Sequence, residues 1–210
     1  MLGRTALILS VLVLPACADA QPYKAPRTAS GAPDLQGTWD TDSMTRFQRP
    51  KRFAGLIKIV QTPEHVVLFG EQNNEARIVR LASRRHLHPA IRPWMGDPVG
   101  WWEGDTLVVE TTNLNPNDRW RWNSGDWIML TAGARITERF TRTGPAEILY
   151  SYAVEDPGAY TQTWRGEQPL RATRAQIFEY ACHEGNYALR NILAGGRQQE
   201  REGATKPATP

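Results

Sequence analysis

The feature that most constrains the fold is a hairpin signal at the centre of the chain, VGWWEGDTLVVETT at residues 99–112. Residues 100–102 have the character of a strand end, residues 103–105 of a tight turn, and residues 106–112 of the next strand. Gly104 suits this turn because glycine adopts positive φ at little cost. The centre of the chain is therefore predicted to pair as antiparallel strands.

Short segments rich in Val, Ile, Thr and aromatic residues recur on both sides of the hairpin, separated by turn residues. No helix-period run of useful length precedes residue 184. The pattern predicts an all-β single domain, an antiparallel barrel or sandwich, and we favour a lipocalin-like barrel with long loops because closure removes strand edges. Gly37-Thr-Trp39 resembles the start of lipocalin-type barrels, where the Trp closes one end. The predicted strands are 56–61, 65–69, 77–81, 100–102, 106–112, 135–142, 147–155, 161–167 and 176–181.

Residues 1–20 have the pattern of an export signal, with Arg4, an apolar run and the small-residue site Ala18-Asp-Ala20. Cleavage there predicts a periplasmic or secreted protein. The rival interpretation is a lipobox ending at Cys17, whose lipidation would anchor the protein to a membrane. We favour simple cleavage because the small-residue site is clean. A linker (21–33), the barrel domain (34–196) and a disordered polar tail (197–210) are predicted to follow.

Composition and motifs exclude several function classes. The formal charge of +3 is dispersed along the chain, so the sequence shows no basic cluster of the kind that binds nucleic acid. The chain has no Cys-x-x-Cys, His-Glu-x-x-His, Gly-x-Ser-x-Gly or phosphate-binding glycine loop, so serine nucleophiles and nucleotides are not indicated. Cys182 is interpreted as a small buried hydrophobe. We expect a small-molecule ligand or substrate and no cofactor.

His86-Leu-His88 is the densest potential metal motif in the chain. Its two imidazoles are separated by one residue, and Pro89 follows directly. A zinc site would need a third ligand from afar, such as His183, Glu184 or Asp97. We therefore expect no bound metal.

Strand alternation points one carboxylate into the predicted barrel. Ile136 and Phe140 form the apolar face of the strand at 135–142, and Glu138 lies between them on that face. Tyr150 lies on the apolar face of the following strand. A buried carboxylate must be paired or have a raised pKa. A structural ion pair with an inward Arg and a catalytic role both remain open for Glu138.

General acid–base chemistry is the mechanism that these side chains suit. His86 or His183 would act as acid or base, and Arg92 would stabilise developing negative charge. The segment 182–187 is dense in polar groups, although a strand end capping a turn would look the same. The predicted catalytic residues are His86, Asp97, Glu138, His183 and Glu184, and the predicted substrate-binding residues are Arg92, Trp94, Trp101, Trp102, Tyr150, Asn186 and Tyr187.

Several longer motifs resemble a large family of exported, mostly uncharacterised bacterial β-rich proteins. They are IVQTPEH at 59–65, EARIV at 75–79, WMGD at 94–97, the hairpin sequence extended to Asn113, TERF at 137–140 and FEYACHEGNY at 178–187. The resemblance covers about residues 34–196 and implies an exported β-rich domain without a defined activity. Residues 114–133 depart from it by carrying more Trp, so specificity is expected to differ there.

Three functions follow as hypotheses. The first is an exported enzyme, a lyase, isomerase or hydrolase, acting on a sugar, aromatic or terpenoid-like substrate in a barrel cavity. The second is a non-catalytic lipocalin-like binding protein with an apolar cavity. The third is an envelope interaction protein with an aromatic patch at 114–133. The enzyme hypothesis requires His86, Asp97, Glu138 and His183 to surround one cavity.

Overall fold

The computed structural model describes residues 23–41, 55–71, 74–117, 120–123, 126–179 and 187–205. The elements in these ranges are β1 (Gly37–Asp40), β2 (Leu56–Gln61), β3 (His65–Gly70), β4 (Glu75–Arg80), β5 (Asp97–Glu103), β6 (Thr106–Thr112), β7 (Trp120–Asn123), β8 (Asp126–Met129), β9 (Arg135–Gly144), β10 (Glu147–Glu155), β11 (Trp164–Thr173) and α1 (Ala188–Thr205).

Nine of these strands close into a barrel in the order β1-β11-β10-β9-β6-β5-β4-β3-β2, which confirms the predicted all-β barrel. The central hairpin forms β5 and β6, with Gly104 at a φ of 59° in its turn. All neighbouring strands run antiparallel except β4 and β5, which meet in parallel at the single pair Arg80 and Val99. The barrel is thus antiparallel with one parallel seam.

Four segments differ from the sequence-based prediction. The strand predicted at 176–181 is wrong in its described part, because residues 176–179 are not in a strand and β11 already completes the barrel by pairing with β1. The predicted loop at 114–133 contains a separate hairpin, β7 with β8. Strand β11 spans Trp164–Thr173 rather than the predicted 161–167, so it runs through Pro169; pairing with β10 on one side and β1 on the other keeps it extended. Residues 197–205 of the predicted disordered tail are helical, as part of α1. Glycines 195, 196 and 203 had obscured this helix, because glycine disfavours helix formation.

Apolar side chains fill the barrel interior around Trp39. Trp39 is 1% exposed, its Nε1 donates to the Leu35 carbonyl at 3.0 Å, and the Arg142 guanidinium lies 5.6 Å from its ring centroid. Trp39 is therefore a core anchor in the first strand. The buried cluster around it comprises Leu35, Ile59, Val66, Leu68, Val79, Leu107, Val109, Phe140, Ile148 and Leu170.

The loop at 81–96 shelters part of the outer barrel surface. Val99 and Val108 are buried, yet they lie on the opposite strand face from the core residues Leu107 and Val109. The backbone of Leu87 in this loop reaches β5 by a hydrogen bond to Asp97. The loop and the outer face of β5 and β6 thus form a second, sheltered layer outside the barrel. His86, Asp97 and Glu110 lie in this layer.

Candidate functional site

The central feature of the site is an imidazole held between two carboxylates. His86 Nδ1 lies 3.0 Å from Asp97 Oδ2, and His86 Nε2 lies 2.9 Å from Glu110 Oε1. His86 is in the sheltering loop, Asp97 begins β5, and Glu110 is in β6. The cross-strand pairing of β5 with β6 places both carboxylates on the outer face. The tertiary structure therefore brings together three residues from three separate segments.

Asp97 is the fixed end of this array. Its carboxylate is almost fully buried and accepts from the Leu87 N–H at 2.7 Å and from Arg80 Nη2 at 2.6 Å. Burial alone would raise the pKa of Asp97, but the hydrogen bonds from Leu87, His86 and Arg80 outweigh it and lower that pKa. Asp97 is consequently an ionised group that fixes the orientation of His86.

Glu110 is the open end of the array, and sequence reasoning missed it. Its Oε2 accepts from Arg135 at 2.6 Å, and its side chain keeps 20% exposure. Burial opposes ionisation here too, but the hydrogen bonds from His86 and Arg135 lower the pKa of Glu110. The available signal was its position: Glu110 is the carboxylate that follows the apolar run at 107–109 in a predicted strand.

Both ring nitrogens of His86 lie within hydrogen-bond distance of a carboxylate oxygen. An ionised carboxylate can only accept hydrogen bonds, and each ring nitrogen of His86 faces one. A ring N–H on each nitrogen would satisfy both contacts. Arg80 lies beyond Asp97 at one end of the array, and Arg135 lies beyond Glu110 at the other.

A groove of about 530 Å³ lies on the same outer face, next to Glu110. Thr137, which lines the groove, is the direct cross-strand partner of Glu110, and the side chains of such partners are close neighbours. The groove runs over the outer surface of β9, β10 and β11. Its lining residues are Thr137, Arg139, Ser151, Tyr152, Ala153, Glu155, Arg165, Gly166 and Glu167.

Glu138 points into the barrel, as predicted, and it is 3% exposed. Arg77 contacts it through two bonds, Nη1 to Oε2 at 2.5 Å and Nη2 to Oε1 at 2.8 Å, and the Tyr150 hydroxyl donates to it at 2.9 Å. Burial alone would lower the pKa of Arg77, but the charge of Glu138 raises it. Burial and the same charge raise the pKa of Tyr150. An inward ion pair, one of the two possibilities considered for Glu138, is thus present.

Glu138 does not share a site with His86 and Asp97, so the expected single constellation is wrong on this point. Val109 pairs with Glu138 on the inner face, whereas Glu110 pairs with Thr137 on the outer face. Adjacent residues of a strand face opposite sides. The sequence motifs could not reveal that the sheltering loop packs outside the barrel rather than over its mouth.

The structure disperses the predicted substrate-binding residues. Arg92 donates to the carbonyls of Leu114 and Ala132, so its guanidinium joins two loops. The large residues Trp94 and Tyr187 are each 61% exposed. Trp101 lies on the outer face beneath the Arg84 guanidinium, 4.3 Å from its ring, and Trp102 packs against the interior core.

The remaining predicted residues, His183, Glu184 and Asn186, lie outside the described residues, as does Cys182. Within the described ranges, no group of three or more His, Cys, Asp or Glu side chains is arranged to hold a metal ion. No helix in those ranges is long and apolar enough to cross a membrane.

Comparisons with protein-family models, with curated proteins and with solved structures found no match for this chain. The resemblance carried by the sequence motifs stays a prediction.

Proposed function

We propose that the protein is an exported small-molecule enzyme that uses general acid–base chemistry, with His86, Asp97 and Glu110 transferring the proton. The observation that carries the proposal is the imidazole of His86 within 3.0 Å of two carboxylates. A histidine oriented by one acid and sharing a proton with another group is a recurrent arrangement for proton transfer. The class of reaction is a lyase, isomerase or hydrolase step.

The three residues have different roles in this proposal. Asp97 stays ionised and holds the ring of His86, because its buried carboxylate is already engaged by Arg80 and Leu87. His86 and Glu110 form the reacting pair, which either donates its shared proton to the substrate or accepts one. Arg135 pairs with the other carboxylate oxygen of Glu110 and stabilises Glu110 as an anion when it does not carry the proton.

The outer groove is the proposed substrate site, in place of a cavity in the barrel. The apolar interior around Trp39 is packed, whereas the groove has a volume of about 530 Å³, within the range of small-molecule sites. Thr137 lines the edge of the groove and is the cross-strand partner of Glu110, so this edge lies next to Glu110. Glu138 and Arg77 are then left with a structural role in the barrel interior.

The experiment compares turnover in four variants once a substrate is identified by screening sugars, aromatic acids and terpenoids. His86→Ala and Glu110→Gln are expected to lower kcat by about 10²- to 10⁴-fold, the usual contribution of a general acid or base. His88→Asn is the matched control, because His88 lies two residues away in the same loop and is exposed. Asp97→Asn should lower kcat with an altered pH profile.

Unfolding by urea is measured in parallel, so that loss of folding is not mistaken for loss of chemistry. If His86→Ala and Glu110→Gln both fold and turn the substrate over within about twofold of wild type, the proposed chemistry is wrong.

A non-catalytic binding protein is the second candidate, and one observation favours it. Both ring nitrogens of His86 are occupied by carboxylates, so neither points freely at a ligand. In that case His86, Asp97 and Glu110 only hold the loop at 81–96 against the barrel, and the groove binds a ligand without altering it chemically. Binding without turnover of the bound compound would select this candidate.

A further inference from the structure

The outer groove has a chemical character that discriminates among the substrate classes. We propose that it binds a neutral polyhydroxylated molecule, a mono- or disaccharide, rather than an aromatic or terpenoid compound. The location of this site rests on the proposed function, whereas the ligand class follows from the residues of the groove alone.

The floor of the groove is formed by small side chains of β10. Ala153 lies between Thr137 of β9 and Arg165 of β11 in one cross-strand row. Ser151 lies between Arg139 and Glu167 in the next row. Since neighbouring strands are about 4.8 Å apart, the two walls stand roughly 10 Å from each other across this floor. A trough of this width admits a single sugar ring or a short chain of rings.

The walls and the floor of the groove together offer both hydrogen-bond donors and acceptors. Glu155 and Glu167 present carboxylates, Arg165 presents a guanidinium, and Thr137 and Ser151 present hydroxyls. Among the described residues, no ion pair engages Glu155, Arg165 or Glu167, so these groups are available to a ligand. A sugar hydroxyl both donates and accepts, which allows each ring substituent to find a partner on either wall.

An apolar ligand would gain contact with Tyr152 and Ala153 in this groove but would lose free energy at its charged side chains. Covering the charged side chains of Glu155, Arg165 and Glu167 with a terpenoid or an aromatic ring would remove their water without supplying hydrogen bonds. Such uncompensated desolvation costs several kcal/mol for charged groups. The groove therefore disfavours the two apolar classes that the sequence had left open.

A strongly charged ligand is disfavoured as well. The lining carries two guanidinium groups, Arg139 and Arg165, and two carboxylates, Glu155 and Glu167. Arg139 is already paired with Glu103 at 2.7 Å, so an anion would meet two carboxylates against one unpaired guanidinium. A cation would lie beside Arg165, whose charge would offset much of its attraction to the carboxylates. Neutral ligands that bind by hydrogen bonds gain most.

The test measures ligand binding to the full chain by thermal shift and by saturation-transfer NMR. The probes are glucose, galactose, maltose and trehalose, with geraniol, benzoate and citrate as representatives of the competing classes. A ligand that binds only the folded state raises Tm. At least one sugar is expected to bind saturably, whereas geraniol, benzoate and citrate are expected not to bind.

Two variants locate the binding. Ala153→Leu fills the floor and is expected to weaken sugar binding by about tenfold or more, because the volume that the ring occupies is lost. Ala76→Leu is the matched control on the exposed outer face of β4 and should leave affinity within about twofold. Failure of every sugar to bind, preferential binding of geraniol, benzoate or citrate, or equal affinity in Ala153→Leu and wild type would overturn the inference.

The same experiment separates this inference from the proposed function. Sugar binding that Ala153→Leu abolishes, without turnover of any bound sugar, supports the ligand class and counts against the enzyme. Saturable binding and turnover of an apolar probe would refute the ligand class while leaving the acid–base array in place.

Discussion

At the scale of single residues, the structure separates two roles that the sequence had merged. His86 and Asp97 lie in a sheltered layer outside the barrel with Glu110, whereas Glu138 lies inside with Arg77 and Tyr150. Each cluster satisfies its carboxylates with cations and hydrogen-bond donors, as buried charges require. The outer cluster borders a groove, and for that reason it is the one with a route to a ligand.

Asp97→Asn tests the outer cluster through the pH dependence of stability. The pKa of Asp97 is lower in the folded state than its ordinary value of 3.8, so its stabilising contribution is present above that value and is lost as pH falls through the folded pKa. We expect the variant to lose about 2 to 3 kcal/mol of unfolding free energy at pH 7, the range for hydrogen bonds to a charged group. The difference from wild type should shrink below about pH 4.

Urea denaturation between pH 3 and pH 7 measures both the loss of unfolding free energy at pH 7 and the way this loss changes with pH. Glu64→Gln, an exposed carboxylate in the turn after β2, is the control and should change stability by about 0.5 kcal/mol or less. A gap between Asp97→Asn and wild type that stays constant down to pH 3 would contradict the assignment of an ionised, stabilising Asp97.

At the scale of elements, the inner cluster ties three strands across the barrel. Arg77 comes from β4, Glu138 from β9 and Tyr150 from β10, and β5 and β6 lie between the first two in the sheet. Alternation in β9 predicted the direction of Glu138, because a period of two fixes the faces once Ile136 and Phe140 are assigned. The identity of its partner could not be predicted, because Arg77 is 61 positions away in sequence.

Glu138→Gln separates the structural and the catalytic interpretations of this residue. Removing the charge leaves Arg77 in the barrel without its counterion, and we expect a loss of about 3 kcal/mol of unfolding free energy. The triple variant Arg77→Met, Glu138→Leu, Tyr150→Phe should recover most of it, because apolar side chains can replace a buried polar cluster. Denaturant titration of both variants is the measurement.

Two outcomes would count against the structural interpretation. One is a triple variant no more stable than Glu138→Gln. The other is a Glu138→Gln protein of unchanged stability that has lost turnover, which would restore Glu138 to the catalytic set.

At the scale of the whole molecule, the barrel has one weak seam. β4 and β5 share only the pair Arg80 and Val99, whereas the other barrel neighbours are joined by antiparallel ladders. Close packing supports the seam, since a Cβ on Gly100 would lie 2.6 Å from Cγ1 of Val79. The Arg80–Asp97 ion pair crosses it from the outside. The outer site is therefore built where the barrel closes.

Hydrogen exchange should reveal this seam. The amides of Arg80 and Val99 are expected to exchange faster than those of Tyr150 and Ser151 in the β9–β10 ladder, because few backbone hydrogen bonds hold the seam strands together. Asp97→Asn should increase exchange at the seam more than in β10. Equal protection of the two regions by mass spectrometry would show that closure is as strong there as elsewhere.

The sequence by itself determined the all-β class, the central hairpin, most strand positions and the inward direction of Glu138. These features depend on residue spacing within one segment, through alternation and turn chemistry. It did not determine the β7–β8 hairpin, the continuity of β11 through Pro169 or the helical residues 197–205. Only the tertiary structure joined His86, Asp97 and Glu110, because those contacts arise from a loop folding over the outer face of a barrel. Contacts of that kind depend on how elements pack, which local spacing does not record.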